Sequence, residues 1–256
     1  MAIVGVIGGT GVYDPAWLSN LQEVEVATPY GRVVALQGEL SGQTGRVYFL
    51  NRHGAGHALP PHRVNYRGNI WALHALGVKR IIATAAVGSL NTAMPPGSMV
   101  LVDQFLDFTK SRPATFFDGG DEGVRHTDMT DPYCDASRAR LLAVAHELGL
   151  PVVMGGVYVA TEGPRFESAQ EIRAYRILGG DVVGMTGVPE VVLARELGLC
   201  YISLALVTNF AAGLSPHPLT HEEVLEVMAE HGQRVKALLQ AGLSRLGESY
   251  SCACQP

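Results

Sequence analysis

Apolar positions along this chain fall in short runs rich in β-branched residues: Ile3–Ile7, Glu23–Ala27, Val33–Leu36, Val47–Leu50, Arg80–Ala86, Met99–Val102, Val152–Val159, Asp181–Val183 and Cys200–Thr208. Runs of this length, several followed by Gly, Asn or His, predict strands that deliver loops at their ends. Between them the spacing predicts helices over Arg67–Leu76, Asp135–Leu148, Ala169–Leu178, Glu190–Leu197 and Thr220–Leu246, most of them ended by glycine. The alternation implies an α/β domain with a parallel or mixed sheet and helices on both faces. The first 50 residues depart from it, because four short strands follow one another without a helix and read as hairpins added to the sheet. Lys110–Asp131, polar and rich in Asp, Gly and Thr, reads as one long loop, and loops of that length in compact domains are usually functional or interfacial.

Composition narrows the class. With 256 residues, 47% hydrophobic and only 17% charged, the chain has the makings of one well-packed domain, taken as residues 1–247 with a Cys-x-Cys tail at 248–256, and disorder is excluded as its main state. The net charge is −5, and the three lysines (Lys79, Lys110, Lys236) form no basic stripe, so nucleic acid is not an expected partner. Met1–Thr10 lacks the charged start and cleavage site of a signal peptide, and no apolar run reaches the roughly 18 residues that span a bilayer. A cytoplasmic location without membrane contact is the expectation. Cys134, Cys200, Cys252 and Cys254 are too dispersed for a disulfide framework, and the tail pair lacks the second pair that a zinc site needs, so no metal is expected and the tail pair reads as ordinary thiols, with a tail disulfide as the alternative.

Candidate chemistry clusters where strands end. After the first strand, the glycines of Gly8-Gly9-Thr10-Gly11 let backbone N–H groups approach an anion and Thr10 adds a hydroxyl, with a plain tight turn as the competing reading. Gly-Lys-Ser/Thr is missing, Asp14 stands where a dinucleotide fingerprint needs glycine, and no Tyr has a Lys four residues on, which removes a short-chain dehydrogenase. In Asn51-Arg52-His53-Gly54-Ala55-Gly56-His57, followed by Pro60-Pro61-His62, a guanidinium and an imidazole between glycines suit a small dianion. Without helical spacing or a nearby carboxylate, His53, His57 and His62 are not read as a metal cluster, and loop hydrogen bonding is the alternative for His57 and His62. The small residues of Ala83–Leu90 allow close backbone approach to a ligand, or simply a crowded sheet interior.

Thr161-Glu162-Gly163-Pro164-Arg165-Phe166-Glu167 and Gly184-Met185-Thr186-Gly187, the latter running into Pro189–Arg195, are each compatible with a turn and a helix start. Together they gather an aromatic, a thioether, a hydroxyl and a carboxylate near strand ends, enough for a flat apolar slot with one hydrogen-bonding edge that fits a heterocyclic base. Asn209 sits at another strand end, where a turn-forming role competes. Thr220-His221-Glu222-Glu223 reads as a capping box that leaves His221 to face a pocket. No Gly-x-Ser-x-Gly elbow, activated cysteine or carboxylate pair is evident, so the nucleophile is expected to be a bound substrate rather than an enzyme side chain.

Taken in order over residues 3–245, Gly8–Gly11, Asn51–Gly54, Val64–Asn69, Val87–Leu90, Glu162–Phe166, Gly184–Thr186 and Pro189–Ala194 resemble the trimeric purine nucleoside phosphorylase and methylthioadenosine phosphorylase family, and its 6-oxopurine branch in particular. The resemblance implies a mixed sheet partly closed into a barrel and flanked by helices. It also implies a homotrimer or a dimer of trimers, no cofactor, and a purine nucleoside with inorganic phosphate as co-substrates. Carried onto this chain, it puts phosphate at Thr10, Arg52, His53, the Ala86 backbone and Thr186, Met185 under the ribose and Phe166 against the base. His126, in the long loop, would serve the neighbouring subunit's site.

Arg52, His53 and Asn209 would then carry the chemistry: phosphate attacks C1′ as the bond to the purine breaks. Methylthioadenosine-cleaving relatives have Asp where this chain has Asn209 and another where it has Ala211. An Asn donor and the Glu167 acceptor suit O6, N7 and N1–H of a 6-oxopurine. His221 resembles the histidine that meets a ribose 5′-hydroxyl. The expectation is phosphorolysis of inosine and guanosine to free base and ribose 1-phosphate in purine salvage. Methylthioinosine or methylthioadenosine as substrate, or a nucleoside-binding protein without catalysis, are the alternatives.

Overall fold

Ile3–Gly8 (β1) is an uninterrupted apolar run, and the fold uses it as one: it lies between Arg46–Asn51 (β4) and Val78–Ser89 (β5), parallel to both and buried on both faces. The computed structural model describes residues 2–12, 15, 17–40, 45–54, 56, 58–215 and 217–254. Outside β4, Leu18–Thr28 (β2) and Gly31–Leu40 (β3) form an antiparallel hairpin, and β3 pairs antiparallel with β4, which accounts for the early strands without a helix.

Beyond β5 the sheet forks. Cys200–Phe210 (β11) runs parallel to β5 from Cys200↔Arg80 to Phe210↔Ser89, and pairs with Met99–Leu101 (β6), itself paired with Val152–Met154 (β8). On the other branch Val182–Gly184 (β10) pairs antiparallel with the far end of β5 and leads to Val157–Thr161 (β9) and Gln104–Phe108 (β7). The β1 ladder on β5 ends at Ile7↔Ala83 and the β10 ladder begins at Val183↔Gly88. Residues 84–87 of β5 therefore lie in a gap between two neighbouring strands.

Helices cover both faces. His221–Gly247 (α5) buries Val235, Leu238, Leu239 and Leu243 with Leu141 and Val144 of Asp135–Glu147 (α2) against Ile82, Ile202 and Leu204. On the other face Tyr66–Ala75 (α1) and Gly187–Glu196 (α4) pack Ile70, Leu73, Val191 and Leu193 against Ile81 and Tyr201. Ala169–Ile177 (α3) begins in a full capping box between Ser168 and Glu171. The result is one mixed sheet flanked by helices.

Three elements differ from the sequence expectation. The run 152–159 is two strands, because Asp103 takes the Gly156 N–H at 2.9 Å and the Leu101 carbonyl takes that of Gly155. Gln104–Phe108 is an edge strand whose half-exposed side chains gave no period-two signal. At the start of α4, Val188 is extended (φ −121°, ψ 134°), as a residue before proline prefers, so regular helix begins close to the expected Glu190. The loop expected over 110–131 holds one short 3₁₀ turn at Gly120–Glu122, closed by an isolated antiparallel bridge between Asp118 and Val124, and is tied down by Arg112, which donates to the carbonyls of Val188, Thr161 and Glu162. No helix among the described residues is long and apolar enough to cross a membrane.

Candidate active site

The gap in the sheet opens into a cavity of about 410 Å³ whose floor is Ala85, Ala86, Val87 and Gly88 of β5. Thr10, Arg52, His53, Phe166, Glu167, Met185, Thr186, Asn209 and His221 also line it. It therefore collects every residue assigned from the sequence to phosphate, ribose or base except His126, which is exposed and borders a different hollow with Arg125, Lys79 and Arg195. Asp14, Ala55 and His57 lie outside the described residues.

One end is built around Arg52. Its guanidinium, only 1% exposed, meets Glu190, 0% exposed, in a two-pronged ion pair: Nε donates to Oε2 at 2.8 Å and NH2 to Oε1 at 2.7 Å. NH1 donates to the Thr84 carbonyl at 2.7 Å, in the sheet gap. Burial works against the charge, but the facing carboxylate outweighs it and holds the Arg52 pKa above its ordinary value. Tyr201, its hydroxyl kept protonated by burial, donates to Glu190 Oε1 at 2.6 Å. Three of the five guanidinium N–H groups are thus held, which pins the side chain, and one N–H on NH1 and one on NH2 are left outside these bonds in a residue that lines the cavity.

Gly9 makes this approach possible. Its N–H donates to Thr84 Oγ1 at 2.9 Å, and a Cβ there would stand 2.5 Å from the Thr84 carbonyl oxygen and 2.8 Å from Arg52 NH1. His53, next to Arg52, is held by the Leu59 carbonyl 2.8 Å from Nδ1, and since a carbonyl can only accept, Nδ1 carries the proton. Thr186 is the N-cap of α4, yet its hydroxyl makes no capping bond: the Tyr158 hydroxyl oxygen accepts from the Thr186 and Gly187 N–H groups at 3.2 Å each. The hydroxyls of Thr10 and Thr186, the Ala86 backbone and the residual Arg52 donors give this end the character of an anion site.

The other end is flat and apolar with a polar edge. A register shift on β11 sets Val207 opposite Val87 but Asn209 opposite Gly88, and this bulge turns both Thr208 and Asn209 onto the cavity wall. Thr208 Oγ1 donates to Asn209 Oδ1 at 2.9 Å and Asn209 Nδ2 donates to the Phe210 carbonyl at 2.9 Å. With its oxygen and one N–H engaged, the amide of this cavity-lining residue keeps a second Nδ2–H to donate. Glu167 Oε1 accepts from Thr161 Oγ1 at 2.6 Å, which leaves Oε2 to act as an acceptor. Phe166 is the apolar face, and Met185 packs beneath Gly163, where a Cβ would come within 2.6 Å of Sδ and where φ is +65°. At the mouth, Thr220 Oγ1 caps α5 by accepting from Glu223 N at 3.2 Å, and His221 joins Leu219 and Val224 in the cavity wall.

Glu190 is the functional residue that the sequence reading passed over. A carboxylate inside Val188-Pro189-Glu190-Val191-Val192-Leu193 carries a readable signal, since an acid in an apolar run is buried only with a partner. The partner, 138 residues away, is not readable.

The profile of the Phosphorylase superfamily matches residues 3–244. A probable 6-oxopurine nucleoside phosphorylase of Dictyoglomus turgidum is 53% identical, over 98% of this chain and 95% of the relative. A probable S-methyl-5′-thioinosine phosphorylase of Methanopyrus kandleri is 51% identical, over 99% of this chain and 96% of the relative. Among solved structures, methylthioadenosine phosphorylase from Schistosoma mansoni in complex with adenine superposes with a TM-score of 0.92 at 34% identity, covering 98% of this chain and 93% of that one.

The buried ion pair makes a stability prediction. Glu190→Leu, which leaves Arg52 charged and unpaired, is expected to lower the free energy of unfolding in urea by about 3–5 kcal/mol, and Arg52→Met/Glu190→Leu to recover much of that loss. A single variant as stable as the parent chain would contradict the pairing.

Proposed function

This chain belongs to the phosphorylase superfamily, and we propose that it is a purine nucleoside phosphorylase acting on 6-oxopurine nucleosides, inosine and guanosine, to release free base and ribose 1-phosphate in purine salvage. The observation that carries the reading is the cavity itself: donors suited to a dianion at Arg52 and a base slot edged by Asn209 and Glu167 share one chamber, which Met185 also lines. In this reading phosphate sits among Thr10, Arg52, His53, the Ala86 N–H and Thr186. A phosphate oxygen bonds to C1′ while the C1′–N9 bond breaks and the base leaves with the electron pair. Phosphate stabilises the oxocarbenium-like sugar, and the Asn209 N–H meets the negative charge that develops at N7 and O6. Because Glu190 neutralises Arg52, phosphate is oriented by directed N–H and O–H donors more than by net positive charge. No cofactor is needed for this displacement.

Base preference follows from donor and acceptor placement. An Asn209 N–H faces the O6 and N7 acceptors of hypoxanthine and guanine, and the Glu167 carboxylate accepts from N1–H. Adenine offers the opposite pattern at N6 and N1. A second reading, methylthioinosine as substrate, is favoured by the apolar Leu219 and Val224 beside His221, which suit a 5′-methylthio group, and by the likeness to the Methanopyrus relative.

We also propose a homotrimer acting in the cytoplasm, with exposed His126 reaching a neighbouring subunit's nucleoside site. Sedimentation should then give three times the 27.3 kDa chain mass, or six times for paired trimers, and His126→Ala should raise the KM for nucleoside with the KM for phosphate unchanged. A monomer, or no change in either KM, speaks against this arrangement.

Phosphate-dependent base release from inosine, guanosine, adenosine, methylthioinosine and methylthioadenosine in parallel tests the function. Inosine and guanosine are expected to lead, and Asn209→Asp to lower the inosine-to-adenosine ratio of kcat/KM by about tenfold or more. Leadership by a methylthio substrate would transfer the conclusion to the second reading, and nucleoside binding without any turnover would leave a binding protein.

A further inference from the structure

Far from the cavity, at the other end of β11 from Asn209, the fold brings together residues that are widely separated in sequence. Cys200 opens β11, and Cys134 is the N-cap of α2, fixed beside it by a backbone bond from Cys134 N to the Tyr201 carbonyl at 2.9 Å. The tail after α5 folds back over both. Arg80 donates to the carbonyls of Leu246 and Glu248 at 2.6 and 2.7 Å. Its guanidinium also lies 3.7 Å from the centre of the Tyr250 ring, which Arg140 approaches to 4.1 Å. Ser137 Oγ stands 2.7 Å from the Tyr250 hydroxyl and donates to Cys134 Sγ at 3.0 Å. These contacts fix the tail without help from sulfur, and they set Cys252 and Cys254 directly against the two buried cysteines. The expectation of dispersed thiols is thereby corrected: the second pair that the tail lacks in sequence is supplied by the core.

The four Sγ atoms all lie within 4.8 Å of one another, and Cys200 and Cys252 are 3.1 Å apart. Two disulfides would require sulfurs to be close in pairs only. Mutual proximity of all four is what a tetrahedral ion needs, since Zn–S bonds of about 2.3 Å place thiolates about 3.8 Å from each other. Ser137 supplies the outer hydrogen bond that such thiolates receive. The local charge suits them too: a tetrathiolate zinc unit is dianionic, and Arg80 and Arg140 flank Tyr250, while Lys79 and Arg195 border the hollow that Cys254 lines.

We propose that Cys134, Cys200, Cys252 and Cys254 form a structural tetrathiolate site for a soft divalent ion, zinc(II), that staples the C-terminal tail to the sheet. Binding replaces four S–H protons, released to solvent, with four S–Zn bonds, and no oxidant is involved. The site is independent of the cavity and of the reading given to it.

The test uses the full chain produced with zinc in the medium and purified under reducing conditions. Metal analysis should find one zinc per chain, and cobalt(II) added to the chelator-stripped protein should give the visible absorption of tetrahedral thiolate-bound cobalt. Cys252→Ser/Cys254→Ser should lose the metal and the cobalt spectrum and melt lower by more than about 5 °C, with catalytic turnover within about twofold of the parent chain. Metal-free parent protein that also gives no thiolate–cobalt spectrum would overturn the proposal, whether its four cysteines react as free thiols or show the mass of two disulfides. So would zinc retained equally by the double variant.

Discussion

The fold around the cavity depends on one buried ion pair. Arg52 and Glu190 are both sequestered from water, and neither could be so alone, because an unpaired buried charge costs several kcal/mol. Their pairing fixes the end of β4 against the start of α4, the Thr84 carbonyl draws in β5, the Gly9 turn after β1 closes over Thr84, and Tyr201 adds β11. Four strands and a helix are thus referenced to a single guanidinium. The same guanidinium lines the cavity that opens where β1 has parted from β5, so the demand for charge compensation in the core also places a donor group at the cavity.

The base end arises from a different constraint. A parallel ladder of ten residues between β11 and β5 would send Thr208 and Asn209 to opposite faces, one away from the cavity. The bulge beside Val207 breaks that alternation and sets both on the cavity wall, and Thr208 then holds the Asn209 amide by its oxygen. Local irregularity in an otherwise regular sheet is what converts a structural strand into a reading edge. The anion end is rigid through charge pairing, and the base end through side-chain hydrogen bonds, with Phe166, 38% exposed, at the open side.

Much of this was legible in the sequence because it is local. Hydrophobic runs fixed nearly all the strands and helices to within a few residues, and strand-end glycines, histidines and Asn209 marked the cavity wall, since the C-terminal ends of neighbouring parallel strands converge. What depends on long-range geometry was not legible. The partner of Glu190, the gap at 84–87 of β5, the bulge on β11 and the meeting of Cys134 with the tail each require knowing which distant segments become neighbours. β7 escaped notice because an edge strand paired on one side carries a weak hydrophobic pattern.

The most direct test of the account is a crystal structure of the chain with inorganic phosphate and hypoxanthine bound together. The account predicts the phosphate on the two remaining N–H groups of an Arg52 still paired with Glu190. It also predicts hypoxanthine stacked on Phe166 with N1–H on Glu167 and O6 or N7 on Asn209. An anion bound away from Arg52, or a base bound with its six-position edge turned away from Asn209 and Glu167, would contradict it.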